Sequence, residues 1–108
     1  MELYADKQRI AGDIRLADSF FSRFRGLMLR RSLGPGEGLL LKDCRSIHCC
    51  FMLMDIDVIY LSEDMHIIRT ETVKPWHLGS NPRGTRHVLE LGRGRSDGLN
   101  PGDILTIV

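Results

Sequence analysis

The chain is built around the sequence Ser46-Ile47-His48-Cys49-Cys50-Phe51-Met52-Leu53-Met54-Asp55-Ile56-Asp57-Val58-Ile59-Tyr60-Leu61. This stretch is the longest dominantly apolar run, yet it contains a histidine, two adjacent cysteines and two carboxylates. Such polar groups are costly to bury unless they are hydrogen-bonded or paired. The stretch therefore predicts both the centre of a hydrophobic core and a candidate functional site.

On both sides of this stretch, short apolar segments alternate with turns rich in glycine, proline and polar residues. This pattern is typical of short β-strands joined by turns. Strands are predicted at residues 39–41, 47–51, 56–61, 66–73, 88–91 and 104–108, with a hairpin or two short strands over residues 10–16.

One helix is predicted after Asp18 and Ser19, whose side-chain oxygens can accept hydrogen bonds from amides of a first helical turn. Apolar residues then recur at i, i+4, i+7 and i+8 over residues 20–28, which is the spacing of one helical face. Many short strands with a single amphipathic helix indicate a β-rich α+β fold, either a small barrel or a half-open sandwich. We expect one domain that comprises residues 1–108.

The composition is that of an ordinary globular protein, with 43% hydrophobic and 27% charged residues and a formal net charge of +1. Such a small net charge gives no general attraction to nucleic acid or to an acidic membrane. There is no apolar run of about 18 residues and no pattern of a secretory signal, so we expect a soluble cytoplasmic protein without a membrane partner. The three cysteines are an odd number, which favours reduced thiols.

A set of short motifs follows in a fixed order: Arg25-Gly26-Leu27-Met28, Glu37-Gly38-Leu39-Leu40, Ser46-Ile47-His48, Phe51-Met52, Ile56-Asp57-Val58-Ile59, Pro75-Trp76, Val88-Leu89-Glu90-Leu91 and Pro101-Gly102-Asp103. Taken together, this set resembles the family called domain of unknown function 192. The resemblance implies a compact, mostly β fold with bacterial and archaeal relatives, some of them exported, and it implies no particular activity. We expect this chain to be bacterial.

The candidate ligand-binding residues are Arg25, His48, Asp57, Trp76 and Glu90. The histidine and the carboxylates would provide polar anchors, and the tryptophan an apolar or stacking wall. Asp57 lies among branched apolar residues, so it either bonds backbone amides to hold a turn, the interpretation we favour, or faces a pocket with a raised pKa. Glu90 alternates with leucines, and the favoured interpretation is the solvent face of a strand.

The sequence predicts neither a metal site nor a cofactor. Cys44 and His48 with either Cys49 or Cys50 would still lack a fourth ligand, and no Cys-x-x-Cys motif is present. The cysteines are therefore expected to act as small buried hydrophobic residues.

The function that these patterns favour is a ligand- or partner-binding accessory module with a polar site at strand ends. Two alternatives stay open. One is a small hydrolase or lyase that uses Asp57 or Glu90 with His48 as acid and base, and the other is a structural or assembly protein without a pocket. The partner is either a small ligand or a protein rather than nucleic acid, and the sequence specifies neither it nor the oligomeric state.

Overall fold

The fold is seen in a computed structural model of the chain, which describes residues 1–17, 33–34, 36–44, 54–75, 77 and 79–108. These residues form eight strands: β1 (Leu3–Ala5), β2 (Gln8–Ala11), β3 (Asp13–Ala17), β4 (Glu37–Leu41), β5 (Ile56–Leu61), β6 (Ile67–Val73), β7 (His87–Gly92) and β8 (Leu105–Ile107). The described part of the chain is rich in strand and contains no helix, hence none that could cross a membrane.

The strands form two sheets. The larger sheet has five strands in the order β3-β4-β7-β5-β6, and the smaller has three in the order β2-β1-β8. Only the pair β3 and β4 is parallel among these strands, and every other neighbouring pair is antiparallel. The smaller sheet joins distant parts of the chain, since Leu3 of β1 lies opposite Ile107 of β8.

The larger sheet is covered on both faces at its centre. All six residues of β5 and the four central residues of β7 are buried. A strand buried on both faces is expected to be apolar throughout rather than alternating. This is why the apolar run Ile56–Leu61 forms an interior strand, whereas β6, at the edge of the sheet, has exposed and buried residues.

Because side chains alternate along a strand, the larger sheet has two distinct hydrophobic faces. The face that packs with the smaller sheet, called the front face, has a core that includes Ile59, Leu61, Leu89 and Leu91 together with Leu3 and Leu105 of the smaller sheet. The opposite face, called the back face, has a core that includes Leu39, Val58, Tyr60 and Val88.

Main-chain hydrogen bonds connect the two sheets at two corners. At one corner, the Ile14 amide donates to the Met1 carbonyl over 2.8 Å, and the Met1 amino group donates to the Ile14 carbonyl over 3.1 Å. At the other, His66 and Ile104 form an isolated bridge. These contacts do not close the described sheets into a barrel, so the barrel alternative is wrong and two open sheets are observed.

Several predicted elements are confirmed by the described residues. The strand predicted at residues 56–61 is β5, and those predicted near residues 39–41, 66–73, 88–91 and 104–108 correspond to β4, β6, β7 and β8. Residues 10–16 contribute to two short strands that belong to different sheets, not to a hairpin.

Two predicted elements lie outside the described residues. These are the amphipathic helix over residues 20–28 and the strand over residues 47–51. The single packed helix is therefore not supported by the described residues, which contain strands alone as regular structure.

Gly38 in β4 allows a close approach within the front face. A Cβ atom at this position would lie 2.6 Å from Cδ2 of Leu91, 2.8 Å from Cδ1 of Ile14 and 2.9 Å from the carbonyl oxygen of Glu90. The two side-chain ends can move, but the carbonyl belongs to a buried strand.

We therefore expect Gly38→Ala to lower the free energy of unfolding by about 1–3 kcal/mol, the usual cost of overpacking. Gly92→Ala is the matched control, because a Cβ there would meet ordinary contacts at 3.7 and 3.8 Å. Urea unfolding of both variants measures the difference, and equal stabilities would contradict the role of Gly38.

Candidate functional site

Four side chains stand in one row across the back face. Strand register aligns Leu39 with Glu90, Glu90 with Val58, and Val58 with Glu71. Residues opposite each other in antiparallel strands share a face. Since neighbouring strands lie roughly 5 Å apart, the backbones of the two glutamates are about 10 Å apart. The back face thus contains two carboxyl groups in one row, separated by an apolar residue.

Glu90 is buried without a hydrogen-bonding partner among the described residues. It is only 4% exposed, and its flanking neighbours Leu39 and Val58 are apolar. Burial raises the pKa of Glu90 to about 8, so the side chain is mostly a neutral carboxylic acid at pH 7. The expectation that Glu90 lies on the solvent face is wrong, because β7 is the central strand and is covered on both sides.

Glu71, at the other end of the row, has the opposite environment. Its Oε1 accepts hydrogen bonds from the Tyr60 hydroxyl over 2.6 Å and from the Ser80 amide over 2.7 Å. Its Oε2 accepts from the Ser80 hydroxyl over 2.7 Å. Burial raises the pKa of Glu71, but these bonds, with a smaller contribution from Arg69, outweigh burial and hold the pKa below its ordinary value.

Tyr60 and Glu71 were not among the residues that the sequence singled out. Tyr60 is completely buried, and burial together with the bond to Glu71 raises the pKa of its hydroxyl. The pair connects β5 and β6 to the segment that contains Ser80. Because the oxygens of Glu71 accept three hydrogen bonds, this carboxylate holds the loop and is not a free base.

Asp57 points to the front face and holds the loop after β7. Its Oδ1 accepts from the Thr72 hydroxyl over 2.9 Å, and its Oδ2 accepts from the Ser96 amide over 2.9 Å and the Ser96 hydroxyl over 2.6 Å. The loop turns at Gly94, whose φ of 82° favours glycine. Burial raises the pKa of Asp57, but bonds from Ser96, Thr72 and the Gly94 amide hold it below its ordinary value.

The candidate residues do not all converge. Asp57 and Glu90 lie on opposite faces of the larger sheet, because Asp57 alternates with the back-face residue Val58 and Glu90 lies opposite that same residue. The two carboxyl groups therefore cannot serve one pocket. The other three candidates, Arg25, His48 and Trp76, lie outside the described residues.

The other polar clusters on the described residues are weaker candidates for a binding site. An open groove is lined by Glu63, Arg83 and Arg86 among others, but Arg86 already donates to Asp43 over 2.7 Å. Within the residues that the structure describes, no group of three or more His, Cys, Asp or Glu side chains is arranged to hold a metal ion. Glu90 is therefore the described side chain with the most unusual environment.

A family profile matches nearly the whole chain. The profile is that of DUF192, described as an uncharacterised ACR, and it matches residues 2–107. A UPF0127 protein of Thermococcus kodakarensis is 34% identical over 101 residues, which cover 88% of this chain and 64% of that protein. A UPF0127 protein of Pyrococcus horikoshii is 34% identical over 93 residues, which cover 83% of this chain and 81% of that one. The chain thus spans somewhat less than two thirds of the Thermococcus relative.

Two solved structures are similar in fold. A protein of unknown function from Novosphingobium aromaticivorans has a TM-score of 0.83 at 22% identity, covering 98% of this chain and 82% of that protein. A protein from Sinorhizobium meliloti has a TM-score of 0.83 at 23% identity, with coverages of 97% and 89%. At such identities the likeness shows the fold alone. Since both UPF0127 relatives are archaeal, the expectation of a bacterial protein fits only in part.

We expect Asp57→Asn to lower the free energy of unfolding by about 2–3 kcal/mol at neutral pH, because an amide nitrogen would face groups that donate to a carboxylate. Asp97→Asn, an exposed aspartate in the same loop, is the control and should change stability by less than about 0.5 kcal/mol. Urea unfolding measures both. The Asp57 effect should shrink in acid as the pH falls through its lowered pKa, and equal stability of the two variants would contradict the role of Asp57.

The raised pKa of Glu90 predicts that the free energy of unfolding depends on pH. Between the ordinary glutamate pKa of 4.5 and about 8, the unfolded chain has lost a proton that the folded chain keeps. Stability should therefore fall by about 1.4 kcal/mol per pH unit across this window and stop falling above it. Glu90→Gln lacks this titration, so the difference in unfolding free energy between wild type and variant isolates it. A pH-independent difference would contradict a protonated Glu90.

Proposed function

Because this chain belongs to the DUF192 family, whose description assigns no activity, we propose from its own geometry that it is a small-ligand-binding accessory module with its site at Glu90 on the back face. One observation carries this function. Glu90 is 4% exposed, yet its carboxyl group accepts no hydrogen bond from any residue in the described ranges.

Such a group is unfavourable for folding. A buried polar group without a partner costs about 1–3 kcal/mol, and an apolar side chain of similar size between Leu39 and Val58 would avoid that cost. Buried carboxyl groups with strongly shifted pKa values are concentrated at functional sites. A ligand that hydrogen-bonds Glu90 removes the penalty on binding, while the apolar neighbours provide the wall of the site.

The other candidate residues enter this function in different ways. Asp57 holds the loop after β7 and does not contact the ligand, because it accepts bonds from Thr72 and Ser96 on the front face. Arg25, His48 and Trp76 stay proposed ligand contacts, as their residue types suggest. The net charge of +1 supports a small ligand over nucleic acid.

An acid–base enzyme is the second candidate. A carboxylic acid with a pKa of about 8 suits a general acid near neutral pH. However, catalysis also needs a free base within reach, and His48, the partner that the sequence suggests, lies outside the described residues. Asp57 is on the other face, and the oxygens of Glu71 on the back face are occupied by Tyr60 and Ser80. A binding function is therefore the better supported of the two.

Native and denaturing mass spectrometry tests the binding function. Wild-type chain is equilibrated with a small-molecule extract of the cells from which it comes. We expect a native mass that exceeds the chain mass, or a clean multiple of it, by a discrete increment. Glu90→Leu should lose the increment, while Asp97→Asn should keep it.

Urea unfolding first establishes that Glu90→Leu is folded, which we expect because leucine suits an apolar face. A wild-type native mass without any increment contradicts the binding function. An increment that Glu90→Leu retains contradicts Glu90 as its site.

A further inference from the structure

Strands β5, β6 and β7 hold three buried or half-buried carboxyl groups, Asp57, Glu71 and Glu90, and one of them differs from the other two in its hydrogen bonds. Asp57 accepts hydrogen bonds from Ser96 and Thr72, and Glu71 accepts them from Tyr60 and Ser80. Donors of this kind stabilise the charged form of a carboxylate. No residue in the described ranges donates to Glu90. These three strands therefore hold two carboxylates and one carboxyl group without a described donor.

A neutral carboxylic acid presents one O–H donor beside one C=O acceptor. A ligand group can satisfy both atoms at once if it has an acceptor and a donor side by side, as a primary amide does. An alcohol or ketone would satisfy only part of this pattern. The residues on either side of Glu90 in the row, Leu39 and Val58, are apolar, so the rest of the ligand next to this group is expected to be apolar too.

Charged ligand groups fit less well. A cation would require an ionised Glu90 between apolar neighbours, and a buried ion pair offsets its desolvation only when additional hydrogen bonds satisfy the remaining lone pairs. A ligand carboxylate would bring a second negative charge to the face that carries ionised Glu71, and it has no donor for the Glu90 carbonyl oxygen.

From these contacts we infer that Glu90 recognises a neutral amide group on an apolar ligand, by donating its O–H to the amide oxygen and accepting from the amide N–H. This inference rests on the proposed binding function and specifies its ligand class. Binding of this kind requires the protonated side chain, so it is coupled to pH.

Other titratable and charged groups on the back face have to be separated from this coupling. On the described strands they are Glu71, Tyr60 and Arg69 and, by alternation with Leu39 and by register, Asp13, Arg15 and Glu37. Cys44 packs against the same cluster. The pKa of Glu71 is lowered and that of Tyr60 is raised, so neither titrates near pH 8. Arginine stays charged throughout. Glu90→Gln removes the Glu90 titration and leaves Asp13, Glu37 and Cys44 in place.

The test uses three probes of one length that differ only in the polar group: n-butyramide, n-butylammonium and n-butyrate. Each is titrated into ¹⁵N-labelled wild-type chain at about pH 6.5 and about pH 9.5. We expect n-butyramide to shift the amide signals of Leu89, Glu90 and Leu91 in preference to the other two. Its affinity should weaken about 30-fold at the higher pH, because only protonated Glu90 binds.

Glu90→Gln, whose amide also offers a donor and an acceptor, should bind n-butyramide with nearly the same affinity at both pH values. Glu90→Leu should not bind it. Tighter binding of n-butylammonium or n-butyrate at Glu90 overturns the amide inference and leaves the binding function intact. No shift with any probe also overturns the inference, while the native mass measurement decides separately on the binding function. A pH dependence that persists in Glu90→Gln overturns the role of Glu90 protonation.

Discussion

Burial of β5 and β7 on both faces is the constraint on which this structure depends. The strands lie side by side at the centre of the larger sheet, and all six side chains of β5 and the four central ones of β7 are buried. Apolar side chains satisfy this condition at once. Polar side chains are buried at low cost only when they are hydrogen-bonded, and ionisable ones can also become neutral. The two acidic residues of these strands differ in this respect. Asp57 receives donors from β6 and the loop after β7, whereas Glu90 gives up its charge.

The ionised Asp57 and the neutral Glu90 have different structural consequences. Ionised Asp57 couples the larger sheet to an otherwise exposed loop, because the Ser96 amide and hydroxyl both turn toward it. Glu71 does the same for the segment that contains Ser80. Each of these two carboxylates therefore holds one loop against the larger sheet. Among the described residues, Glu90 fixes no loop and accepts no hydrogen bond.

Local sequence pattern predicted the parts of the fold that depend on local information. The apolar run Ile56–Leu61 specified an interior strand with its observed bounds, and its buried carboxylate was expected to bond backbone amides, as Asp57 does. β1 was missed because three residues, Leu3–Ala5, are too few for a periodic pattern. Glu90 was misplaced for a different reason. Alternation of leucine with glutamate looks the same in a half-exposed strand and in a central one, and only the non-local order β4-β7-β5 distinguishes them. The contact of Tyr60 with Glu71 likewise depends on strand register.

The pairing of Leu3 in β1 with Ile107 in β8 also determines when each sheet can form during synthesis. The strands β4, β5, β6 and β7 need nothing beyond residue 92 to pair with each other. The smaller sheet must wait until β8 has left the ribosome, since β1 has only β2 as a partner before then. Until that moment the front-face leucines of the larger sheet have no cover from β8, so a nascent chain at this stage exposes apolar surface of the kind that favours aggregation.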